Sequence, residues 1–155
     1  MVATSIIGAG LVLLLGYAAW GDIRSREIPN WIVLVIALAA PLWWWADGLA
    51  LWSEVGMRLL TALIVFLVFT GAWAIGMMGG GDVKLLAAIA LWLAPLPLLD
   101  MLWLMAVVGG VLTIWMLVLH RWRRAEGRPE VPYGVAIAAA AAWVVTNQIL
   151  TTPVA

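Results

Sequence analysis

Two aspartates, Asp22 and Asp82, stand at the borders of long apolar runs, where an ionisable side chain is costly and is by default a candidate functional group. Asp82 directly follows three glycines, residues 79–81, each of which lowers helix stability by about 1 kcal/mol relative to alanine while giving the backbone freedom. Two carboxyl groups that meet in a partly dry environment share a proton: the ionised one activates a water, and the protonated one polarises a carbonyl. If the fold brings Asp22 and Asp82 together, their chemistry is aspartyl peptide hydrolysis.

Each aspartate also has an ordinary structural interpretation. Asp82, which lies between glycines and an apolar run, suits a helix N-cap, and Asp22 suits an interfacial charge balanced by Arg24 or Arg26. Glycines between membrane helices are common contact points. Residues 76–84 do not form a phosphate-binding loop, because the glycine spacing and the following Ser or Thr are missing. The choice therefore depends on the elements that position the two carboxyl groups.

The composition predicts an all-α integral membrane protein with a single domain, residues 1–155. Hydrophobic residues make up 66% of the chain and charged residues 10%, whereas soluble domains are about half apolar and about a quarter charged. The absence of cysteine excludes disulfides, thiolate metal sites and thiol nucleophiles. The only histidine, His120, lies beside arginines and is not expected to bind a metal, so neither a metal nor a cofactor is predicted. A net charge of zero gives no support for nucleic-acid binding, and nothing indicates the oligomeric state.

Apolar runs predict about six transmembrane helices. The first lacks the basic beginning of a signal peptide, so it is expected to stay uncleaved, and a polar turn over residues 21–30 follows it. The fourth run is short and is interrupted by Pro95 and Pro97, so whether residues 83–99 cross the bilayer completely stays open. The predicted spans are residues 1–20, 30–46, 57–78, 83–93, 101–119 and 131–150.

Six spans place the connecting loops alternately on two sides, and the cations are strongly asymmetric between those sides. Seven of the eight cations fall in the first, third and fifth loops, and only Arg58 lies near the opposite side. By the positive-inside rule, the odd-numbered loops are cytoplasmic and both termini are non-cytoplasmic. Asp22 and Asp82 then return to the same cytoplasmic edge after two crossings. The seven cations are Arg24, Arg26, Lys84, Arg121, Arg123, Arg124 and Arg128.

Three motifs follow one another along the chain, and with them the sequence resembles the type IV prepilin peptidase family, whose active site carries a Gly-x-Gly-Asp motif. The resemblance covers nearly the whole chain and implies that Asp22 and Asp82 are the catalytic aspartates. Gly79 and Gly81 would let the backbone approach an extended substrate or place Asp82 against Asp22. The motifs are Asp22 with Ile28-Pro29-Asn30, then Gly79-Gly80-Gly81-Asp82-Val83-Lys84, then Val131-Pro132-Tyr133-Gly134.

Several further residues are expected near the substrate, each with a structural alternative. Lys84 suits either a substrate or carboxylate contact, or a lysine that extends to the membrane interface. The Pro132-Tyr133-Gly134 turn suits either the rim of the site or the start of a helix with an interfacial aromatic residue. Pro29 and Asn30, which belong to the first motif, are also expected near the substrate.

The resemblance implies a substrate as well. Family members remove a short basic leader from type IV prepilin or pseudopilin precursors, usually after a glycine, and the expected setting here is the cytoplasmic face of a prokaryotic inner membrane, surrounded by lipid. The chain lacks the cysteine-rich insertion of the larger members, so it is similar to the short peptidases of tight-adherence pilus systems, and N-methylation is not expected.

Other classes of protein remain as alternatives. A presenilin-like intramembrane protease shares the Gly-x-Gly-Asp motif but lacks the Ile-Pro-Asn and Pro-Tyr-Gly companions. A membrane transporter would be expected to show internal repeats and polar residues near the bilayer midplane, which the sequence does not show. A non-enzymatic assembly protein would tolerate the loss of either aspartate.

Overall fold

The computed structural model describes residues 2–122 and 132–151, with side chains up to residue 149, and its regular structure there is entirely helical, which confirms the predicted all-α class. Arg123, Arg124, Arg128 and Val131 lie outside the described residues. A π-helical turn, Leu51–Val55, leads into the third helix. The six α-helices are α1 (Val2–Ser25), α2 (Asn30–Ala46), α3 (Gly56–Ala74), α4 (Gly80–Ala90), α5 (Pro95–Trp122) and α6 (Tyr133–Thr151).

Helix α1 continues beyond the apolar run. The prediction of a polar turn that begins at Gly21 is therefore wrong for the first half of that segment, which is helical. The Ser25 hydroxyl donates to the Gly21 carbonyl at 2.9 Å. The helix ends where Arg26 takes a left-handed φ of 57° and its N–H donates to the Asp22 carbonyl at 3.1 Å. Backbone hydrogen bonding continues through polar residues until one residue leaves the helical region. Asp22 is therefore held within a helix rather than in a loop.

Among the described residues, three stretches are long and apolar enough to cross a membrane: Val2–Ser25, Leu51–Ala74 and Pro95–Trp122. Two further apolar helices, Asn30–Ala46 and Tyr133–Ile149, are shorter. The third predicted span extended too far, because α3 ends at Ala74 and the chain turns at Gly76, where φ is 74°. Glycine adopts this left-handed conformation without steric cost.

The prolines after α4 begin the next helix, which corrects the predicted fifth span. Helix α5 starts at Pro95 rather than at residue 101, and Pro97 lies in its first turn. Proline is tolerated there because the first N–H groups of a helix have no intrahelical acceptor. Helix α4 has only 11 residues, a length of about 16 Å. It is shorter than the roughly 30 Å of a bilayer core.

Helix α4 lies at the centre of the fold, in contact with α2, α3 and α6. Leu85, Leu86 and Ile89 are completely buried in this core. Helix α6 contacts α1, α4 and α5, and its alanines allow the close approach. The outer surfaces of α3 and α5 are apolar as well, as expected of helices that face lipid. Exposed examples are Leu59, Leu63, Leu67, Trp103, Ile114 and Trp115.

Candidate active site

Asp22 lies near the end of α1 and points at the beginning of α6. Its side chain is buried, with 6% of its surface exposed. The N–H of Val135 donates to Asp22 Oδ2 at 3.2 Å, and the N–H of Gly134 donates to the same carboxylate. The first N–H groups of a helix lack intrahelical acceptors and carry a partial positive charge. The α6 N-terminus thus orients the Asp22 carboxyl group, and its N–H groups partly offset the cost of burying the charge.

Gly134 is the point of closest approach between α6 and this carboxyl group. A Cβ atom at Gly134 would lie 2.8 Å from Asp22 Oδ2 and 3.0 Å from Ile28 Cδ1, both closer than van der Waals contact allows. A side chain at this position would therefore displace Asp22 or Ile28. The other residues of the third motif contact α6 and α5. The carbonyl of Pro132, which precedes α6, accepts a hydrogen bond from the Val135 N–H at 3.2 Å, and the Tyr133 ring contacts α5 at Gly109.

Asp82 is the third residue of α4, and Gly79 is the N-cap of that helix. The structure thus places Asp82 inside the first turn, so the N-cap interpretation of Asp82 is wrong. The Asp82 carboxylate accepts a hydrogen bond from the Gly79 N–H, which resembles the return bond of a capping box. A Cβ atom at Gly79 would lie 3.0 Å from Asp82 Oδ2, so the absence of a side chain there leaves room for the carboxyl group.

The two aspartates influence each other electrostatically. Burial raises the pKa of Asp82 to about 6, the negative charge of Asp22 acts in the same direction, and the hydrogen bond from Gly79 opposes both. Asp82 therefore keeps its proton to a pH at which an ordinary aspartic acid is ionised. Asp22, with two N–H donors, is the member of the pair that is better stabilised as an anion.

Both carboxyl groups line one pocket of about 510 Å³, a volume within the usual range of ligand sites. Its walls come from the end of α1, the turn that joins α1 to α2, and the beginning of α4. Four of the residues predicted near the substrate, Pro29, Asn30, Gly79 and Gly81, belong to this wall. The full lining is Asp22, Ser25, Arg26, Glu27, Ile28, Pro29, Asn30, Gly79, Gly80, Gly81 and Asp82.

Lys84 contacts the wall of the pocket rather than a carboxylate. Its ammonium group donates to Asn30 Oδ1 at 3.1 Å, which links α4 to the beginning of α2. Both side chains are exposed, so the contact adds little stability by itself. Lys84 therefore contacts the turn that carries Pro29 and Asn30.

Ile28 is a member of the site whose role the sequence did not indicate. It is 9% exposed although polar residues surround it in the chain. Its Cβ lies 3.3 Å from the position that a Cβ at Gly81 would take, and its Cδ1 meets α6 at Gly134. Ile28 therefore fills the space between the helix that carries Asp82 and the helix that binds Asp22. The first motif contained Ile28, but the polar turn over residues 21–30 also contains Ile23, which is exposed, so the sequence did not indicate which isoleucine is buried.

The sequence identifies the family of this chain. No protein of curated function and no solved structure matches the chain. The sequence model of the type IV leader peptidase family matches residues 9–114, more than half of the chain, and this range includes Asp22, Asp82 and the three glycines before Asp82. The match confirms the resemblance that the motifs indicated. The chain belongs to the type IV leader peptidase family.

Proposed function

We propose that this protein is a membrane-embedded aspartyl endopeptidase that removes the short basic leader from type IV prepilin or pseudopilin precursors. The observation that carries the proposal is the shared pocket of Asp22 and Asp82, in which burial and the Asp22 charge raise the pKa of Asp82 to about 6. Membership of a leader peptidase family supports the reaction class. Two carboxyl groups of unlike proton affinity are the arrangement that aspartyl hydrolysis requires.

In the proposed reaction, the ionised Asp22 takes a proton from a water, and the water oxygen forms a bond to the carbonyl carbon of the scissile peptide. Asp82 donates its proton to the carbonyl oxygen as the tetrahedral intermediate forms. The C–N bond then breaks as protonated Asp22 gives its proton to the departing nitrogen, and a hydroxyl group of the intermediate returns a proton to Asp82 as the carboxyl product forms. The hydrogen bonds from α6 to Asp22 support its role as the base. The two groups titrate as a pair, so these roles describe the dominant protonation state.

The proposed topology has six membrane passages, with the pocket at the cytoplasmic face and both termini on the other side. Three helix ends support it: α1 ends at the pocket, and both α4 and α6 begin there. The chain therefore leaves the pocket face and returns to it twice, through α2 with α3 and through α4 with α5. The short α4 completes its passage together with residues 91–94, inside the protein rather than in lipid.

The deciding experiment replaces each aspartate with asparagine, which keeps the shape of the side chain but removes its acid–base chemistry. The protein is co-expressed in the membrane with a candidate precursor that has a basic leader, a glycine and an apolar helix. We expect Asp22→Asn and Asp82→Asn each to lower the rate of leader removal by about 100-fold or more. Asp100→Asn is the matched control, because Asp100 is exposed in α5 and is not part of the pocket lining.

Three outcomes separate the candidate functions. Loss of cleavage in both dyad variants with retention in Asp100→Asn supports the proposal. Cleavage that survives either change contradicts the dyad mechanism. Equal cleavage of an apolar membrane segment without a basic leader would favour a general intramembrane protease.

A further inference from the structure

Arg58 and Asp22 are the two charged side chains that are buried among the residues whose side chains the structure describes. Arg58 lies in α3 on the same face as the buried Val55, Ala62 and Val65, at the three- and four-residue spacing of one helix face. A buried charge in apolar surroundings is costly unless specific partners offset its desolvation. The partners of Arg58 therefore indicate why it is there.

Those partners lie at the C-terminal end of α4. The Arg58 guanidinium donates to the carbonyl of Trp92. The Trp44 indole N–H donates to the carbonyl of Leu91 at 2.8 Å, and the Trp92 indole N–H donates to the carbonyl of Ile36 at 3.0 Å. Carbonyl groups at the end of a helix lack intrahelical donors and carry a partial negative charge, so an arginine is well suited to bind them. We call Trp44, Arg58 and Trp92 the α4 clamp.

The other end of α4 carries Asp82 and has fewer side-chain hydrogen bonds to neighbouring helices. Three glycines provide no side chains there, and the Lys84–Asn30 bond is exposed. Because α4 is a regular helix of only 11 residues, a shift at its C-terminal end carries Asp82 along with it. A displacement of about 1 Å can lower the rate of a positioned reaction by about 100-fold. The clamp is therefore well placed to control the distance between Asp82 and Asp22.

We propose that Arg58 is a positioning residue that sets the depth of α4 in the fold and thereby places Asp82 against Asp22. The inference rests on the proposed peptidase function. Arg58 is not part of the pocket lining and acts through α4. Asp47 and Glu54 interact electrostatically with Arg58 from the turn between α2 and α3.

The test compares Arg58→Leu, Arg58→Lys and Trp44→Phe in purified, detergent-solubilised protein with a precursor that has a basic leader, a glycine and an apolar helix. Activity is referred to the monodisperse, folded fraction. We expect Arg58→Leu to lower kcat by about 10- to 100-fold with KM nearly unchanged. As Asp82 moves away from the Asp22 charge, the alkaline fall of the pH profile should shift to lower pH. Trp44→Phe should show a smaller change of the same kind, and Arg58→Lys should recover part of the loss.

Thr61→Ala is the matched control, because the Thr61 hydroxyl donates to the Met57 carbonyl within α3 and makes no bond to α4. It should keep the kcat and the pH profile of the unmodified protein. Folded Arg58→Leu protein with normal kcat and an unshifted pH profile would overturn the positioning role and leave Arg58 a structural residue. If Arg58→Leu does not fold, a normal kcat and an unshifted pH profile in folded Trp44→Phe protein would decide against the proposal. Failure of the unmodified protein to cleave the precursor would instead overturn the proposed function, and this inference with it.

Discussion

The two carboxyl groups of the pocket are held by different kinds of contact. Asp22 receives N–H groups from α6, which begins 111 residues later in the chain (133 − 22), whereas Asp82 receives the N–H of Gly79 from the first turn of its own helix. A change in the packing of α6 therefore reaches Asp22 directly, while the position of Asp82 depends on α4. These N–H groups oppose the effect of burial at each carboxyl group: Asp22 has two such donors, and Asp82 has one.

The titration of this pair predicts an alkaline limit to activity. Because burial and the Asp22 charge raise the pKa of Asp82 to about 6, the shared proton is lost as the pH rises through this value. We expect kcat/KM to fall above about pH 6, and to fall again at low pH, where the pair gains its second proton. The measurement is kcat/KM against pH for a precursor without histidine, so that only the enzyme titrates near neutrality. A constant kcat/KM from about pH 5 to about pH 8 would contradict the assignment.

The same group predicts how stability depends on pH. The pKa of Asp82 in the folded protein lies above its ordinary value of 3.8, so the folded state binds this proton more tightly than the unfolded chain does. Its contribution to stability is present below about pH 4 and is lost as the pH rises to about 6. Asp82→Asn should therefore raise the apparent Tm in detergent at pH 7 while it abolishes cleavage. An unchanged or lower Tm at that pH would show that the buried Asp82 carboxyl group does not destabilise the folded protein.

Gly134 allows a sharp test of the contact between α6 and Asp22. In Gly134→Ala, the new Cβ would lie 2.8 Å from Asp22 Oδ2, so the carboxyl group must move. We expect cleavage to fall by at least about 10-fold in a protein that still folds. Gly110→Ala is the matched control, since a Cβ at Gly110 meets nothing within 4 Å. That change should leave cleavage intact. Equal activity of the two variants would show that Gly134 is not part of the site.

At the scale of elements, the sequence indicated which segments are helical better than where they end. Apolar content predicted an end of α1 at residue 20, yet the helix continues through Asp22 until Arg26 leaves the helical region. The same signal placed the start of the fifth span after Pro97, although prolines are well accommodated in the first turn of α5. Helix ends depend on local backbone hydrogen bonds, which hydrophobicity does not report.

The close contact of α1 with α6 determines whether Asp22 meets the α6 N-terminus. A Cβ at Gly8 would overlap Ile149 Cδ1 and lie 3.2 Å from Trp43 Cζ3, so Gly8→Leu must displace these side chains and crowd the contact between α1 and α6. Overpacking of this kind costs about 1–3 kcal/mol, and we expect a lower Tm in detergent together with weaker cleavage. Gly10→Leu provides the comparison, because a Cβ at Gly10 has open space around it. If both variants lose stability equally, the contact at Gly8 is not specific.

For the whole molecule, sequence reasoning identified the pair of aspartates and the third motif, but not how they fit together. Asp22 and Val135 are 113 residues apart, and no local pattern reports that the N-terminus of α6 binds the carboxyl group. The charge count marked Arg58 only as the exception on the opposite side. The structure shows that Arg58 binds the end of α4. Motifs thus indicate candidate groups for chemistry, whereas long-range contacts determine which residues hold them.

The orientation of the molecule in the membrane is the property with the widest consequences, because the proposed function requires the pocket to open where a basic leader is available. The chain contains no cysteine, so single cysteines can report orientation on a clean background. Ser25 lines the pocket at the end of α1, and Ser53 is exposed in the π-helical turn beyond α2. If six passages place the pocket in the cytoplasm, Ser53→Cys should react with a membrane-impermeant maleimide in intact cells. Ser25→Cys should react only after the inner membrane is opened.

A membrane-permeant maleimide is the control and should label both single-cysteine proteins in intact cells. Cleavage by Ser53→Cys should remain normal, since this residue is not part of the pocket lining. Labelling of Ser25→Cys by the impermeant reagent from outside would invert the proposed orientation. The pocket would then face away from the cytoplasm. Seven of the eight cations would lie on that same non-cytoplasmic side, against the positive-inside rule. A leader peptidase acting on cytoplasmic basic leaders is compatible only with the first result.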